Sequence, residues 1–188
     1  MLQGFISDVN CQRPPLTGTG DDMKLYIVRH GIAVPHGAPG IAEDERPLTP
    51  EGITKMEKAA AGLRTLGVSP QLVLTSPLSR AEQTAEIVAA ALEKRPELRR
   101  LHALEPGGNH MDVYRELEEN QDLESLMIVG HQPSLGEIAG EIAWGSAKYC
   151  LELKKGGACA LEIESVDPKP RGTLLWLLTP SVLRQLAE

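Results

Sequence analysis

Three short apolar runs constrain the fold of this chain more than any other feature of its sequence. The runs are 25–28, 72–74 and 126–129, and each is typical of a short buried strand. Longer segments in which apolar residues recur at helical spacing separate them. Strands that alternate with amphipathic helices pack as a sheet with helices on both faces. The sequence therefore predicts an α/β fold, a three-layer α/β/α sandwich around a mostly parallel central sheet, which a final pair of strands at 159–163 and 174–178 can make mixed.

Two of the predicted helices carry clear start signals. Thr49 followed by Pro50 predicts an N-cap and a first helical residue, because the threonine hydroxyl accepts from a free backbone N–H and proline has none to satisfy. The apolar positions at 53–66 then form the inward stripe of this helix. Ser76 followed by Pro77 repeats the same signal directly after the second apolar run.

Length and composition fit one globular domain. The chain has 188 residues and an ordinary apolar content of 41%, and we place the domain at 23–188. Residues 1–22 lack periodicity and contain many turn-forming residues, so we expect them to form a flexible N-terminal extension. They also lack the basic start and the apolar stretch of a signal peptide.

Charge and cysteine content exclude several classes of protein. A net charge of −7 argues against a nucleic-acid partner, and no apolar run approaches the ~20 residues that a membrane span needs. The three cysteines form no CxxC pair, which indicates neither a zinc site nor a disulfide framework. We therefore expect a cytoplasmic protein with no membrane or nucleic-acid contacts.

Polar and charged side chains follow all three apolar runs, at the point where each run ends. In chain order these groups are Arg29-His30-Gly31, Ser76 with Arg80, and His131. Because ligands bind at the carboxyl ends of strands in open α/β sheets, the groups converge if the three strands are neighbours. Arg80 falls in the first turn of a predicted helix, where free amides favour an anion, and we expect its side chain to be solvent-accessible.

Two guanidinium groups and two imidazoles around one point suit the transfer of a phosphoryl group. Arginine forks match phosphate oxygens and stabilise the charge of the transition state. A neutral imidazole, here His30, is a good nucleophile when its other nitrogen donates a hydrogen bond, for which a carbonyl in the turn at Gly31 is available. We predict no metal and no other cofactor, because the arginines and His131 supply the positive charge and no carboxylate cluster is present.

In this order, the residues resemble the histidine phosphatase superfamily, which has the phosphoglycerate-mutase-like fold, over about residues 23–180. The chain is similar to the small SixA-type phosphohistidine phosphatases in Arg46-Pro47-Leu48-Thr49-x-x-Gly52, Ser76-Pro77-x-x-Arg80-Ala81-Glu82-Gln83-Thr84, Leu104-x-Pro106-x-Gly108 and His131-x-Pro133. The resemblance implies that His30 becomes phosphorylated and that water then hydrolyses the phosphohistidine. It also implies a phosphate-binding pocket made of His30 with Arg29, Arg80 and His131.

The general acid that many members of this family use is left open by the sequence. Glu105 is the nearest carboxyl candidate. The SixA-type pattern has no fixed acid at this point, so Glu105 is equally a plain loop carboxylate. Asn109 falls where some relatives have an acidic residue, and it cannot transfer a proton. The remaining histidines are His36, His102 and His110, and we expect them in loops, at the surface or on a helix face. Only His110, which opens a predicted helix near the site, is considered for contact with the substrate.

Three functions remain as alternatives. The first is a phosphohistidine protein phosphatase acting on a phosphorylated protein such as a histidine phosphotransfer domain. Two features favour it: no lid is inserted between Arg80 and His131, and imidazole leaves more readily than an alkoxide. The second is a phosphatase for a small phosphate ester, which needs Glu105 as acid. The third is a non-enzymatic phosphate-binding module, which the presence of all four core residues disfavours.

Overall fold

The computed structural model describes residues 23–187, so the predicted flexible extension at 1–22 lies outside the described residues. Within this range the elements are β1 Met23–Arg29, α1 Pro50–Thr65, β2 Leu72–Thr75, α2 Ser79–Ala91, β3 Glu97–Arg100, a 3-10 helix His102–Leu104, α3 His110–Glu119, β4 Ser125–Gly130, α4 Ser134–Trp144, β5 Ala158–Ser165, β6 Arg171–Leu178 and α5 Pro180–Gln185. None of the helices in this part of the chain is long and apolar enough to cross a membrane.

All of these strands belong to one sheet with the order β3-β2-β4-β1-β5-β6. The first four strands of that order run parallel, whereas β5 and β6 run antiparallel to their neighbours. The predicted mixed α/β fold is therefore confirmed. Strand β4 lies between β1 and β2, with Arg29 opposite Gly130 and Thr75 opposite Val129. This register brings the carboxyl ends of the three strands with polar turns to one edge of the sheet.

The sheet separates two apolar clusters, and successive residues of β1 alternate between them. Leu25 and Ile27 pack with residues of α3 and α4, whereas Tyr26 and Val28 pack with residues of α1 and α2. Strand β4 is buried along its whole length. A strand that is covered on both faces consists of a continuous run of apolar residues, and for this reason the apolar runs in the sequence located these strands.

The predicted start of α1 is confirmed, and its inward stripe is partly wrong. The Thr49 side chain accepts from the backbone N–H of Gly52, and Pro50 is the first helical residue. Ile53 and Leu66, at the two ends of the predicted stripe, are exposed. Gly52 takes the inward position instead, because a Cβ there would lie 2.0 Å from the carbonyl oxygen of Ile32.

The predicted start of α2 at Ser76 and Pro77 is wrong. The helix begins at Ser79, and its N-cap residue, Leu78, makes no side-chain cap hydrogen bond. Ser76 instead continues the pairing of β2, because its N–H donates to the carbonyl of Val129 at 2.9 Å. Its hydroxyl lies 2.9 Å from Nε2 of His131, which follows β4, and also accepts from the backbone N–H of Leu78 at 3.3 Å.

Candidate active site

The structure brings His30 and His131 together at the carboxyl edge of the sheet. The two residues follow β1 and β4, which are neighbouring parallel strands, and the backbone N–H of His30 donates to the carbonyl of Gly130 at 3.1 Å. Their ring centroids lie 4.9 Å apart, and both side chains are buried. The site is therefore built around a close pair of buried imidazoles.

His30 is held in a single neutral tautomer. Its Nδ1 lies 2.8 Å from the carbonyl oxygen of Gly31, which can only accept, so Nδ1 carries the proton and donates. Burial lowers the pKa of His30 to about 4 despite this bond, with further lowering by the charges of Arg80, Arg29 and Lys155. At neutral pH the imidazole is uncharged, and its Nε2 has a free lone pair, as a nucleophile requires.

His131 is neutral as well but has a different kind of partner. Its Nε2 lies 2.9 Å from the hydroxyl of Ser76, which is able to donate or to accept. Burial is the main cause that lowers the pKa of His131 to about 3, and His30 and the site arginines lower it further. The Ser76 hydroxyl, which the sequence analysis predicted to cap a helix, thus contacts a histidine of the site.

Arg29 and Arg80 each use one end of the guanidinium to hold a loop. Arg29 Nη1 donates to the carbonyl of Leu153 at 2.7 Å, and Arg80 Nη1 donates to the carbonyl of Glu43 at 2.8 Å. Among residues 23–187, the only buried side-chain nitrogen or oxygen atoms without a hydrogen-bond partner are the Nε atoms of these two arginines. Buried polar groups normally have a partner, so these two N–H groups mark a place for an acceptor.

The expected solvent accessibility of Arg80 is wrong, because the side chain is only 3% exposed. The loop after β1 covers it: besides the carbonyl contact, the Glu43 carboxylate lies 3.4 Å from Arg80 Nη2. The backbone of Arg80 is anchored too, since its carbonyl accepts from Thr84 Oγ1 at 2.6 Å and that hydroxyl in turn accepts from Gly31 N–H at 3.0 Å. Arg80 is therefore fixed relative to the turn that carries His30.

Sequence reasoning missed the covering role of Glu43 and Arg46. Arg46 donates from Nε to the Glu43 carboxylate at 2.8 Å and also pairs with it through Nη2. These bonds, with a further one from His36, hold the pKa of Glu43 at about 2, so its carboxylate is ionised at neutral pH. The sequence signal was Arg46 in the Arg-Pro-Leu-Thr motif, to which no role in the site was assigned.

The structure does not bring Glu105 into hydrogen-bond contact with the histidine pair. Within the described chain, its carboxylate pairs with Nδ1 of His102 at 2.7 Å, and both side chains are substantially exposed. The side-chain oxygen of Asn109 caps α3 by accepting from Met111 N–H. His110 lies 3.6 Å from the carboxylate of Glu137. These contacts give Asn109 and His110 structural surroundings, and they place Glu105 on a loop with His102 as its partner.

The arrangement favours an anion over a metal. No group of three or more histidine, cysteine or acidic side chains in residues 23–187 is placed to hold a metal ion. Two guanidinium N–H donors without partners, beside two neutral imidazoles, instead suit a tetrahedral oxyanion. A bound phosphoryl group would meet positive charge from Arg29 and Arg80 and a lone pair from His30.

Comparison with known proteins identifies relatives of this chain. The family model for the histidine phosphatase superfamily (branch 1) matches residues 25–143. An uncharacterized protein of Picosynechococcus sp. (strain ATCC 27264 / PCC 7002 / PR-6) is 44% identical over 142 residues, which is 74% of this chain and 84% of that protein. Phosphohistidine phosphatase SixA of Escherichia coli (strain K12) is 28% identical over 164 residues, which is 86% of this chain and 97% of that protein. A solved structure of the protein histidine phosphatase SixA complexed with tungstate aligns with a TM-score of 0.75 and 29% identity over 86% of this chain and 99% of that chain.

Proposed function

The chain belongs to the histidine phosphatase superfamily, and we propose that it hydrolyses phosphohistidine on a protein through a covalent phosphoryl group on His30. Family membership makes it a hydrolase of the phosphatase class. The finer assignment rests on one observation: a histidine with one fixed neutral tautomer lies near two buried guanidinium N–H groups that have no acceptor among residues 23–187. A phosphoryl group supplies that acceptor.

In the first step the phosphoryl group moves from the substrate to His30. The lone pair of His30 Nε2 attacks phosphorus while the bond from phosphorus to the substrate nitrogen breaks. The leaving imidazole takes a proton from solvent. Nδ1 of His30 keeps its proton throughout and donates it in a hydrogen bond to the Gly31 carbonyl. This bond stabilises the positive charge that develops on the ring. Arg29 and Arg80 stabilise the charge on the equatorial oxygens.

In the second step water hydrolyses the phosphorylated His30. The water oxygen attacks phosphorus, the bond to Nε2 breaks, and inorganic phosphate leaves with the proton that the water loses. His131 lies with its ring centroid 4.9 Å from that of His30 and with Nε2 on the Ser76 hydroxyl. Because a hydroxyl both donates and accepts, His131 can change tautomer as the phosphoryl oxygens change partner.

No carboxyl group in residues 23–187 is hydrogen-bonded to the histidine pair, and this favours phosphohistidine over alkyl phosphates as the substrate. Among the described carboxylates, Glu43 contacts the site through Arg80 but is ionised at neutral pH, and Glu105 is bonded to the exposed His102. An alkoxide leaves poorly without a proton from a general acid, whereas an imidazole leaves readily. One relative is named phosphohistidine phosphatase SixA, and a similar solved structure of a SixA protein is complexed with tungstate, a tetrahedral oxyanion like phosphate.

A panel assay tests this proposal. The full chain is given a phosphohistidine-containing phosphotransfer domain, phosphoserine and phosphothreonine peptides, and common small phosphate esters, and kcat/KM is measured for each. We expect hydrolysis of the phosphohistidine protein to exceed that of every ester by at least about 10²-fold, the lower range that a general acid contributes to a poor leaving group. A small ester as the best substrate would contradict the proposal and favour the metabolite phosphatase. The His30→Asn variant is the control for contaminating phosphatases.

A further inference from the structure

A cavity lies beside the turn that carries His30. It has a volume of about 190 Å³ and opens between the start of α1, the loop before β5, and α5. Because about 10–15 Å³ of such volume is enough for one water molecule, the cavity is large enough for a carboxylate or a phosphate group. Its lining includes the backbone of Gly31 and three cationic side chains from three different elements: Lys55, Lys155 and Arg184.

Positive charge dominates this cavity. Lys55 pairs with Glu51, but no acidic partner in residues 23–187 pairs with Lys155 or Arg184. The Lys155 ammonium is close enough to His30 to contribute to the lowering of its pKa. Two cations without an acidic partner among residues 23–187 thus line one concave place, and a cleft with charge of one sign concentrates anions locally.

Rigid backbone holds Lys155 at the cavity wall. The turn around it is closed by a hydrogen bond from Gly157 N–H to the Lys154 carbonyl at 2.7 Å, with Gly156 at a φ of 77°. A turn with this φ at its third residue needs glycine there. The N–H of Gly156 also lies 3.1 Å from the Arg29 carbonyl and 3.0 Å from that of His30. The turn therefore cannot move away without breaking contacts with the end of β1.

Arg184 is held in a similar way from the opposite wall. Helix α5 packs closely on α1, where a Cβ on Gly62 would lie 1.8 Å from the Leu183 carbonyl oxygen. Leu183 itself is fully buried in the cluster below α1. The next residue, Arg184, thus projects from an anchored helix, which reduces the entropy that is lost when its side chain binds a ligand.

We propose that this cavity is a second anion subsite, which binds a carboxylate or phosphate of the substrate while the scissile phosphoryl group lies at His30. The inference rests on the proposed function: on a phosphohistidine protein the anion is an aspartate or glutamate side chain near the phosphohistidine. Lys155 and Arg184 bind it, whereas Lys55 is already paired with Glu51. The subsite selects acidic surroundings of the phosphohistidine and takes no part in the chemical step.

Matched substrates and variants test this subsite. Phosphohistidine peptides with Asp or Glu placed in turn at the four positions on either side are compared with peptides carrying Asn or Gln there. The enzymes are the wild type, the double variant Lys155→Gln/Arg184→Gln, and the control Lys154→Gln. Lys154 is adjacent in sequence, is exposed, pairs with Glu152 and does not line the cavity. A second arm compares an aryl phosphate with an aryl bisphosphate, which offers the anion on a small molecule.

We expect the wild type to prefer at least one acidic peptide by about 10-fold in KM, since each partly solvated ion pair contributes a factor of up to about 5. The double variant should lose this preference without a change in kcat, and Lys154→Gln should keep it. High salt should weaken the preference as well. A preference only in the aryl arm would assign the anion to a small substrate.

Two results would overturn the subsite: equal KM for acidic and neutral substrates in both arms, or a preference that survives in the folded double variant. The proposed function fails separately. If the wild type hydrolyses none of the phosphohistidine peptides but prefers the aryl bisphosphate through Lys155 and Arg184, the phosphohistidine assignment is wrong and the subsite stands.

Discussion

The turns that follow β1 and β4 place the same side chain in similar surroundings but fix it differently. His30 and His131 are both buried, and burial is the largest cause that lowers the pKa of each. Nδ1 of His30 faces the carbonyl of Gly31, which only accepts. Nε2 of His131 faces the hydroxyl of Ser76, which donates or accepts. One histidine therefore has a single neutral tautomer, whereas the other has two.

In the mechanism proposed above, this difference separates two roles, that of the nucleophile and that of a residue that contacts the phosphoryl oxygens. A nucleophile must present one defined lone pair to phosphorus, and a carbonyl partner ensures this for His30. A residue that contacts phosphoryl oxygens during two successive transfers must adapt to changing partners, and a hydroxyl partner allows this for His131. Hydrogen-bond partners, rather than burial, thus distinguish the two histidines.

Arg80 acts on both turns, so its loss should have the largest effect. The Arg80 charge lowers the pKa of both histidines, and its Nε is one of the two unpartnered donors. We expect Arg80→Ala to reduce kcat by about 10²–10³-fold, the typical cost of one donor to a developing charge. Because Arg80 is buried and bonded to the Glu43 carbonyl, stability should fall too, by about 1–3 kcal/mol.

The assay for Arg80→Ala is therefore run well below the unfolding midpoint of the variant. Arg64→Ala, which removes an exposed arginine on α1, is the matched control and should retain wild-type turnover. Turnover near the wild-type value in a folded Arg80→Ala protein would contradict a shared role in the two turns.

Acid should destabilise the fold through both histidines. The ordinary histidine pKa of 6.5 applies to the unfolded chain, and the folded values are about 4 for His30 and about 3 for His131. Below pH 6.5 the unfolded state binds protons that the folded state does not, so the free energy of unfolding falls as the pH falls towards 4. Each histidine contributes a slope that approaches about 1.4 kcal/mol per pH unit.

Urea unfolding at a series of pH values between 7 and 4 measures this slope. His131→Asn should show a shallower loss of stability than the wild type. His102→Asn, in which an exposed histidine is replaced, is the control and should match the wild-type slope. Parallel curves for wild type and His131→Asn would show that His131 is not held neutral by burial.

Ser76→Ala addresses the difference between the two turns directly. It removes the hydroxyl that is bonded to His131 and that accepts from Leu78 N–H, and it leaves the Gly31 carbonyl on His30 unchanged. One neutral hydrogen bond contributes about 0.5–1.5 kcal/mol, so we expect kcat to fall by about 2–10-fold with little change in KM. Nitrogen NMR of the two imidazoles should show a changed tautomer balance only for His131. Ser79→Ala is the control, and an altered His30 signal would contradict independent fixing of the two rings.

Glu105→Gln should have the smallest effect. The Glu105 carboxylate is bonded to His102, outside hydrogen-bond contact with either turn. We expect kcat/KM on a phosphohistidine protein to change by less than about 2-fold, as for an exposed ion pair. If Glu105 were the general acid, activity on alkyl phosphates would fall by about 10²–10⁴-fold. Measuring both substrates separates these outcomes.

Local patterns in the sequence predicted the strands and the convergence of their ends, because fully buried strands and strand-end turns have recognisable compositions. The carbonyl at Gly31 was predicted as well, since it lies next to His30 in the chain. Contacts between distant segments were not predictable in this way. Leu153 binds Arg29 across 124 positions, and Glu43 covers Arg80, so neither the loop contact nor the burial of Arg80 has a local signal.

Ser76 shows that tertiary contacts can also override a local signal that is present in the sequence. Ser-Pro before a helix is a strong local signal for an N-cap, yet Ser76 stays paired to β4 and its hydroxyl meets His131. Tertiary pairing across the sheet overrode the local preference. The residue at which the predicted helix start is wrong is therefore the residue that contacts His131.

The central claim is that His30 Nε2 carries the phosphoryl group, and trapping that group tests it most directly. The wild type is mixed with a phosphohistidine protein, quenched within milliseconds in base, digested and analysed by mass spectrometry that separates the two phosphohistidine isomers. We predict phosphate on Nε2 of His30, because Nδ1 donates to the Gly31 carbonyl. Phosphate on Nδ1 of His30 or on His131, or turnover without any phosphorylated enzyme, would contradict the account.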